Sequence, residues 1–127
     1  MKFSQMPYER VDFNKVEEEF TQLMKEFKEA GNGEKQFAVH QKYYELRDRV
    51  DTRMTIAHIR HDVNTADAFY SAEQDYYDAE SPRYSNMVIE YQKLLYESPY
   101  RSVLEDKIGP VAFKNICLLY TSPSPRD

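Results

Sequence analysis

The sequence predicts an all-α protein, an antiparallel array of about four helices with short connections. Three observations carry that expectation. Apolar residues recur at steps of three and four, the period of a helix with one buried stripe. Only three glycines and six prolines interrupt the 127 residues, and Pro123 and Pro125 stand near the end. No useful stretch alternates apolar with polar residues, and no unit repeats at a fixed period.

The first helix is expected after Asp12, whose carboxylate can accept from free backbone N–H groups. Phe13, Val16, Phe20, Leu23, Met24 and Phe27 follow on one face. Glu17, Glu18 and Glu19 near its start and Lys25 and Lys28 near its end suit the helix dipole. Gly31-Asn32-Gly33 should stop it, because glycine and asparagine tolerate the left-handed conformation of a C-cap. A second helix should run from about Glu34 to about Asp62. Val39, Tyr43, Leu46, Val50, Met54 and Ala57 form its stripe, and Phe37, Tyr44, Ile56 and Ile59 widen it, as expected for a helix with more than one neighbour.

Asn64-Thr65 is the next break, with Thr65 the expected N-cap of a third helix. Phe69, Ala72, Tyr76 and Ala79 follow on one face. Ser81-Pro82 has the form of a helix start, so either a new helix or a sharp kink is expected there. Tyr84, Met87, Val88, Tyr91, Leu94 and Leu95 continue the apolar face. Ser98-Pro99 repeats the start signal before a short helix with Val103, Leu104 and Ile108, which Gly109-Pro110 ends. Val111 to Ile116 should begin another.

Composition narrows the function. With 41% hydrophobic and 31% charged residues, the chain reads as one water-soluble globular domain. A net charge of −5 without a basic patch argues against nucleic acid as a partner. No apolar run approaches the roughly 20 residues that cross a bilayer, and MKFSQMPYER has no apolar core of a secretion signal. The expectation is a cytoplasmic protein with no membrane partner. A single cysteine, Cys117, leaves no intramolecular disulfide.

The composition shifts at Cys117. Cys117 to Asp127 read CLLYTSPSPRD, and one back-translation of this string looks like the end of a sequencing-library adapter. Residues 117–127 are therefore expected to be a non-native, disordered tail, leaving 1–116 as the authentic region of a longer protein.

No constellation announces catalysis. His58 and His61, with Asp62 beside them, lie on one helix face and could in principle hold zinc. Metal helices more often space histidines by four, so a polar surface is the stronger reading. Glu73, Asp75, Asp78 and Glu80 could pair for acid–base work, but a solvated charged face explains them with fewer assumptions. The serines lack a Gly-x-Ser-x-Gly setting, and no glycine-rich loop follows a strand to cradle phosphate. Of eleven tyrosines, nine crowd between Tyr43 and Tyr100, which suits either a binding face or, better, an amphipathic core with hydroxyls at its rim.

Four stretches carry a resemblance. Met6-Pro7-Tyr8-Glu9-Arg10 opens the chain. Arg60-His61-Asp62-Val63-Asn64-Thr65-Ala66-Asp67-Ala68-Phe69-Tyr70 leads to Glu73-Gln74-Asp75-Tyr76-Tyr77-Asp78. Glu90-Tyr91-Gln92-Lys93-Leu94-Leu95-Tyr96-Glu97-Ser98-Pro99-Tyr100-Arg101 follows, then Ile108-Gly109-Pro110-Val111-Ala112-Phe113-Lys114. In order and spacing these resemble the N-terminal part of the oligoendopeptidase F family, over nearly all of 1–116. The resemblance implies a larger helical peptidase of the cytoplasm that cuts short peptides in a deep channel. It implies zinc held by a His-Glu-x-x-His helix and a downstream glutamate, with the motif glutamate activating water. No His-Glu-x-x-His occurs in this sequence, so no catalytic or metal residue carries over, no cofactor is expected in this piece alone, and substrate-binding residues stay unassigned. The implied partners are the absent catalytic region and, for the whole enzyme, oligopeptides; the Tyr-rich third helix would form part of the channel wall. Two rival readings remain: a stand-alone helical interaction module, and a small metal-binding bundle using His58 and His61.

Overall fold

A computed structural model describes residues 8–117. Among them stand five helices and no strand: α1 Phe13–Glu29, α2 Gly33–Val63, α3 Ala68–Tyr96, α4 Arg101–Ile108 and α5 Pro110–Ile116. The three long helices pack each against the other two, α4 closes one end against α2 and α3, and α5 rests on α4. The all-α array is as expected. The start of the opening motif and residues 118–127 of the expected tail lie outside the described residues. Cys117, the first residue assigned to that tail, is buried and caps α5.

Helix α1 forms as its pattern demands. Asp12 accepts from the Asn14 and Lys15 backbone N–H groups, and Phe13, Val16, Phe20, Leu23 and Phe27 are buried. Its end works differently from expectation. Ala30 turns out in an extended conformation, and the positive-φ glycine is Gly109, at 102°. Asn32 instead begins α2, its side chain accepting from the Lys35 N–H at 2.8 Å. Gly33 answers a close approach: a Cβ there would stand 2.6 Å from the Val103 Cβ on α4.

Helix α3 brings three corrections. Its N-cap is Asp67, which accepts from Phe69 and Tyr70; Asn64 instead takes the Ala66 N–H within the turn, leaving Thr65 uncapping. The helix runs on through Pro82, so of the two readings offered for Ser81-Pro82 a new helix is ruled out. An interior proline costs about 3 kcal/mol, while each fully buried large apolar side chain stabilises by roughly 1.5–3 kcal/mol. Tyr77, Tyr84, Met87, Val88, Tyr91 and Leu95 are buried on both sides of it, which outweighs the loss. That continuity fixes the phase of the first half. The inward positions are Glu73 and Tyr77, whereas Phe69 is 55% exposed and Ala72 and Ala79 face solvent. Ser98 does not cap α4 either: its hydroxyl donates to Gln36 Oε1 and accepts from the Tyr100 N–H, and α4 begins after Tyr100.

Candidate functional site

Two polar clusters sit inside this apolar frame. The first ties the N-terminal segment to α3. Glu73 is 2% exposed. It accepts from the Tyr8 hydroxyl at 2.6 Å and from the Arg10 Nε at 3.1 Å to each oxygen, and its Oε2 also pairs with an Arg10 terminal nitrogen. Tyr77 closes the group: its hydroxyl lies 2.7 Å from that of Tyr8 and accepts from the Val11 N–H at 3.0 Å. The Arg10 guanidinium also lies 4.1 Å over the Tyr76 ring. Hydrogen bonding from Arg10 holds the Glu73 carboxyl below the usual carboxylate range. Burial, and then the bond to Glu73, pushes the Tyr8 hydroxyl well up. Glu73 is thus an ionised, fully engaged carboxylate, not an acid with a proton to give.

The second cluster lies where α2 and α3 meet under α5. Tyr43 and Tyr91 stack with ring centroids 3.8 Å apart. His40, packed beside both rings, shares a 2.8 Å hydrogen bond between its Nδ1 and the Tyr91 hydroxyl. Burial pulls His40 down to about 4, so its ring is neutral at pH 7. Arg47 donates to the Tyr43 hydroxyl at 2.9 Å and to Asp51 at 3.4 Å, and Tyr84 donates to the other Asp51 oxygen at 3.1 Å. Beside this network opens a cavity of about 510 Å³, lined by Tyr43, Tyr44, Arg47, Gln92, Asn115 and Ile116 among others. Two buried atoms on its lining residues, Gln92 Oε1 and Arg47 Nε, have no hydrogen-bond partner among the described residues. The cavity offers aromatic walls with Asp48, Asp51 and Asn115 among its polar lining, and the two unpartnered atoms have no accessible surface of their own. That is equipment for receiving a group and not for chemistry upon it.

The residues singled out from sequence do not converge. His58 Nε2 lies 3.2 Å from Asp62 and its Nδ1 3.3 Å from Gln74, while His61 meets Ser71 at 3.5 Å. Among the described residues no three His, Cys, Asp or Glu are placed to hold a metal ion. These side chains do not fit zinc. The acidic quartet separates as well: Glu73 is buried, Asp75 and Asp78 face solvent, and Glu80 lies 3.7 Å from Arg83. The tyrosines of α3 mostly turn inward: Tyr77, Tyr84 and Tyr91 are buried, and the Tyr76 hydroxyl donates to the Val11 carbonyl at 2.7 Å. Tyr44 on α2 is the tyrosine left 66% exposed. Sequence reasoning missed the buried roles of Glu73 and His40. Stepping back by seven from Tyr91 gives Tyr84 and Tyr77, and one further helical turn of four residues reaches Glu73, so the signal was present.

Comparison with known proteins identifies the frame. The model of the peptidase M3 N-terminal domain matches residues 3–121. The chain belongs to that family. No curated protein matches it. Among solved structures, PZ peptidase A with inhibitor 2 superposes with a TM-score of 0.90 at 35% identity, over 98% of this chain and 22% of that one. A structure assigned as oligoendopeptidase F gives 0.89 at 34%, over 98% and 22%. Another so assigned, from Bacillus anthracis str. Ames, gives 0.90 at 32%, over 98% and 23%. The chain therefore spans less than a quarter of the length of the M3 peptidases it resembles, and corresponds to their N-terminal region. No described helix is long and apolar enough to cross a membrane.

Proposed function

We propose that this chain is the N-terminal helical wall of a cytoplasmic zinc peptidase that hydrolyses oligopeptides, with catalysis and zinc supplied by polypeptide beyond it. The observation that carries the reading is the near-complete superposition, at a TM-score of 0.90 and 35% identity, on part of a far longer peptidase. The residues present support a structural role. Glu73 is ionised and engaged, His40 is neutral and engaged, and His58 and His61 hold different neighbours. Zinc, where bound, would polarise a peptide carbonyl and activate water; none of the described side chains is arranged to hold it. What this region contributes is a rigid surface that restricts access to flexible, short chains.

We also keep residues 117–127 as a non-native tail. That division rests on the adapter-like string alone, since the family match reaches residue 121 and Cys117 is buried. Sequencing the source DNA across the codon for Ile116 tests both points. A frame continuing into a His-Glu-x-x-His helix is expected, and a genuine stop codon there would overturn the peptidase reading. The matching assay uses a quenched fluorescent oligopeptide: the longer protein should cleave it and the 127-residue chain should not. Cleavage by this chain alone would refute the assignment of catalysis elsewhere.

A further inference from the structure

We infer that the groove between α2 and α4 is a binding site for free peptides of a few residues, with both ends unblocked and bulky apolar side chains. The groove encloses about 370 Å³. Phe37, His40, Tyr44 and Glu45 line it from one face of α2, and Lys107 and Ile108 from the end of α4. The inference does not depend on the peptidase reading.

His40 supplies a donor. It is 5% exposed, and its Nδ1 meets the Tyr91 hydroxyl at 2.8 Å. Tyr91 is fully buried, and Nδ1 is the acceptor its hydroxyl reaches. The phenol therefore donates, and the neutral imidazole carries its own proton on Nε2. That Nε2 has no partner among the described residues, yet it keeps accessible surface, unlike Gln92 Oε1 and Arg47 Nε. Phe37, Tyr43 and Tyr91 pack around the ring. His40 lines both this groove and the neighbouring cavity, so its free edge opens where the two adjoin. A peptide carbonyl is the acceptor suited to a neutral N–H donor between aromatic walls.

Charge supplies the two ends. Lys107 Nζ lies 5.7 Å from the centre of the Phe37 ring. From Phe37 to Glu45 the helix rises about 12 Å, at roughly 1.5 Å per residue. Neither Lys107 nor Glu45 has an ion-pair partner among the described residues. A cation and an anion set apart, with a donor between them, complement a zwitterion. Its carboxylate meets Lys107, a carbonyl meets His40 and its amine meets Glu45. An extended chain advances at most about 3.3–3.6 Å per residue, so three or four residues span the distance and a single amino acid does not. Phe37, Tyr44 and Ile108 offer the apolar surface for the side chains. An internal segment of a longer chain has no ends to offer these charges.

The test titrates trileucine with free ends into the nitrogen-15-labelled 127-residue chain at pH 7, followed by NMR. Amide shifts should saturate and centre on residues 37–45 and 107–108, and the His40 Nε2–H resonance should move with them. N-acetyl-trileucine and trileucine amide should each bind about fivefold more weakly, the upper end for one exposed ion pair. Glu45→Gln should weaken trileucine by the same factor and leave N-acetyl-trileucine unchanged, and Lys107→Gln should do the same with respect to the amide. Both positions are exposed, so neither substitution touches the core. The absence of saturable shifts, shifts centred away from α2 and α4, or an unmoved Nε2–H resonance overturns the inference. So does equal binding of free and blocked peptides, which would make the groove a seat for internal chain. The readout is binding and not hydrolysis, so failure of the peptidase reading would leave this site standing, and failure here would leave that reading untouched.

Discussion

The two polar clusters of this molecule differ in one respect that matters. Around Glu73 every strong donor and acceptor is matched within the described chain: Tyr8, Arg10, Tyr77 and the Val11 N–H form a closed set. Around Gln92 the set is open, with an acceptor and a donor left over beside a cavity of about 510 Å³. A closed cluster stabilises the unit that contains it. An open one leaves polar groups uncompensated inside the core, at a cost the packing around them must offset.

The largest expected effect lies at the centre of the second cluster. Tyr91 is fully buried, stacks on Tyr43, meets Phe27 edge-on at 5.8 Å and bonds His40. Tyr91→Ala should destabilise by about 3–5 kcal/mol, the range for emptying a buried aromatic site. Urea unfolding followed by circular dichroism checks it. A loss under about 1 kcal/mol would mean that the aromatic hub is not a packed core.

Much of this was legible in advance, for reasons that can be located. The apolar steps of α1 and α2 are local, and the Asp12 cap acts within three residues, so sequence periodicity alone reaches them. The inward phase of α3 was misread because Ser81-Pro82 has the form of a start signal, and packing on both sides overrides it. Glu73 looked like one member of an acidic face because its partner Arg10 stands 63 residues away. The cavity depends on three helices at once, and no pattern along one of them encodes it.

Breaking the closed cluster from its outer side is the next largest effect. Arg10→Ala removes the charge partner of a buried carboxylate, but the Arg10 side chain is itself 49% exposed, and Tyr8 still donates. The expected loss is about 2–3 kcal/mol, below the roughly 3–5 kcal/mol of a fully buried pair. Glu73→Leu should cost less than Arg10→Ala, because the arginine freed by it can turn to water. The reverse order in chemical denaturation would show that Glu73 is not held as a desolvated ion.

Acid should distinguish the clusters by pH window. His40 has a folded-state value of about 4 against an ordinary 6.5, so the unfolded chain binds more protons between these values. Its contribution is complete above 6.5 and falls away as pH drops towards 4, by about 2 kcal/mol at pH 5. Glu73 is shifted down from 4.5, so its contribution is present above that value and is lost only as pH falls further. Stability measured from pH 7 to 5 should therefore decline through His40, and His40→Phe should flatten this decline while leaving the steeper loss below it. A wild-type stability unchanged between pH 7 and 5 would contradict a buried neutral His40.

The smallest effect tests the open cluster directly. Gln92→Leu removes a buried, unpartnered Oε1. Leaving such an acceptor unsatisfied costs about 1–3 kcal/mol, so the variant should be at least as stable as the wild type in urea unfolding. A variant destabilised by more than about 1 kcal/mol would show that Oε1 is satisfied in the folded protein, and the distinction between the two clusters would lose its meaning.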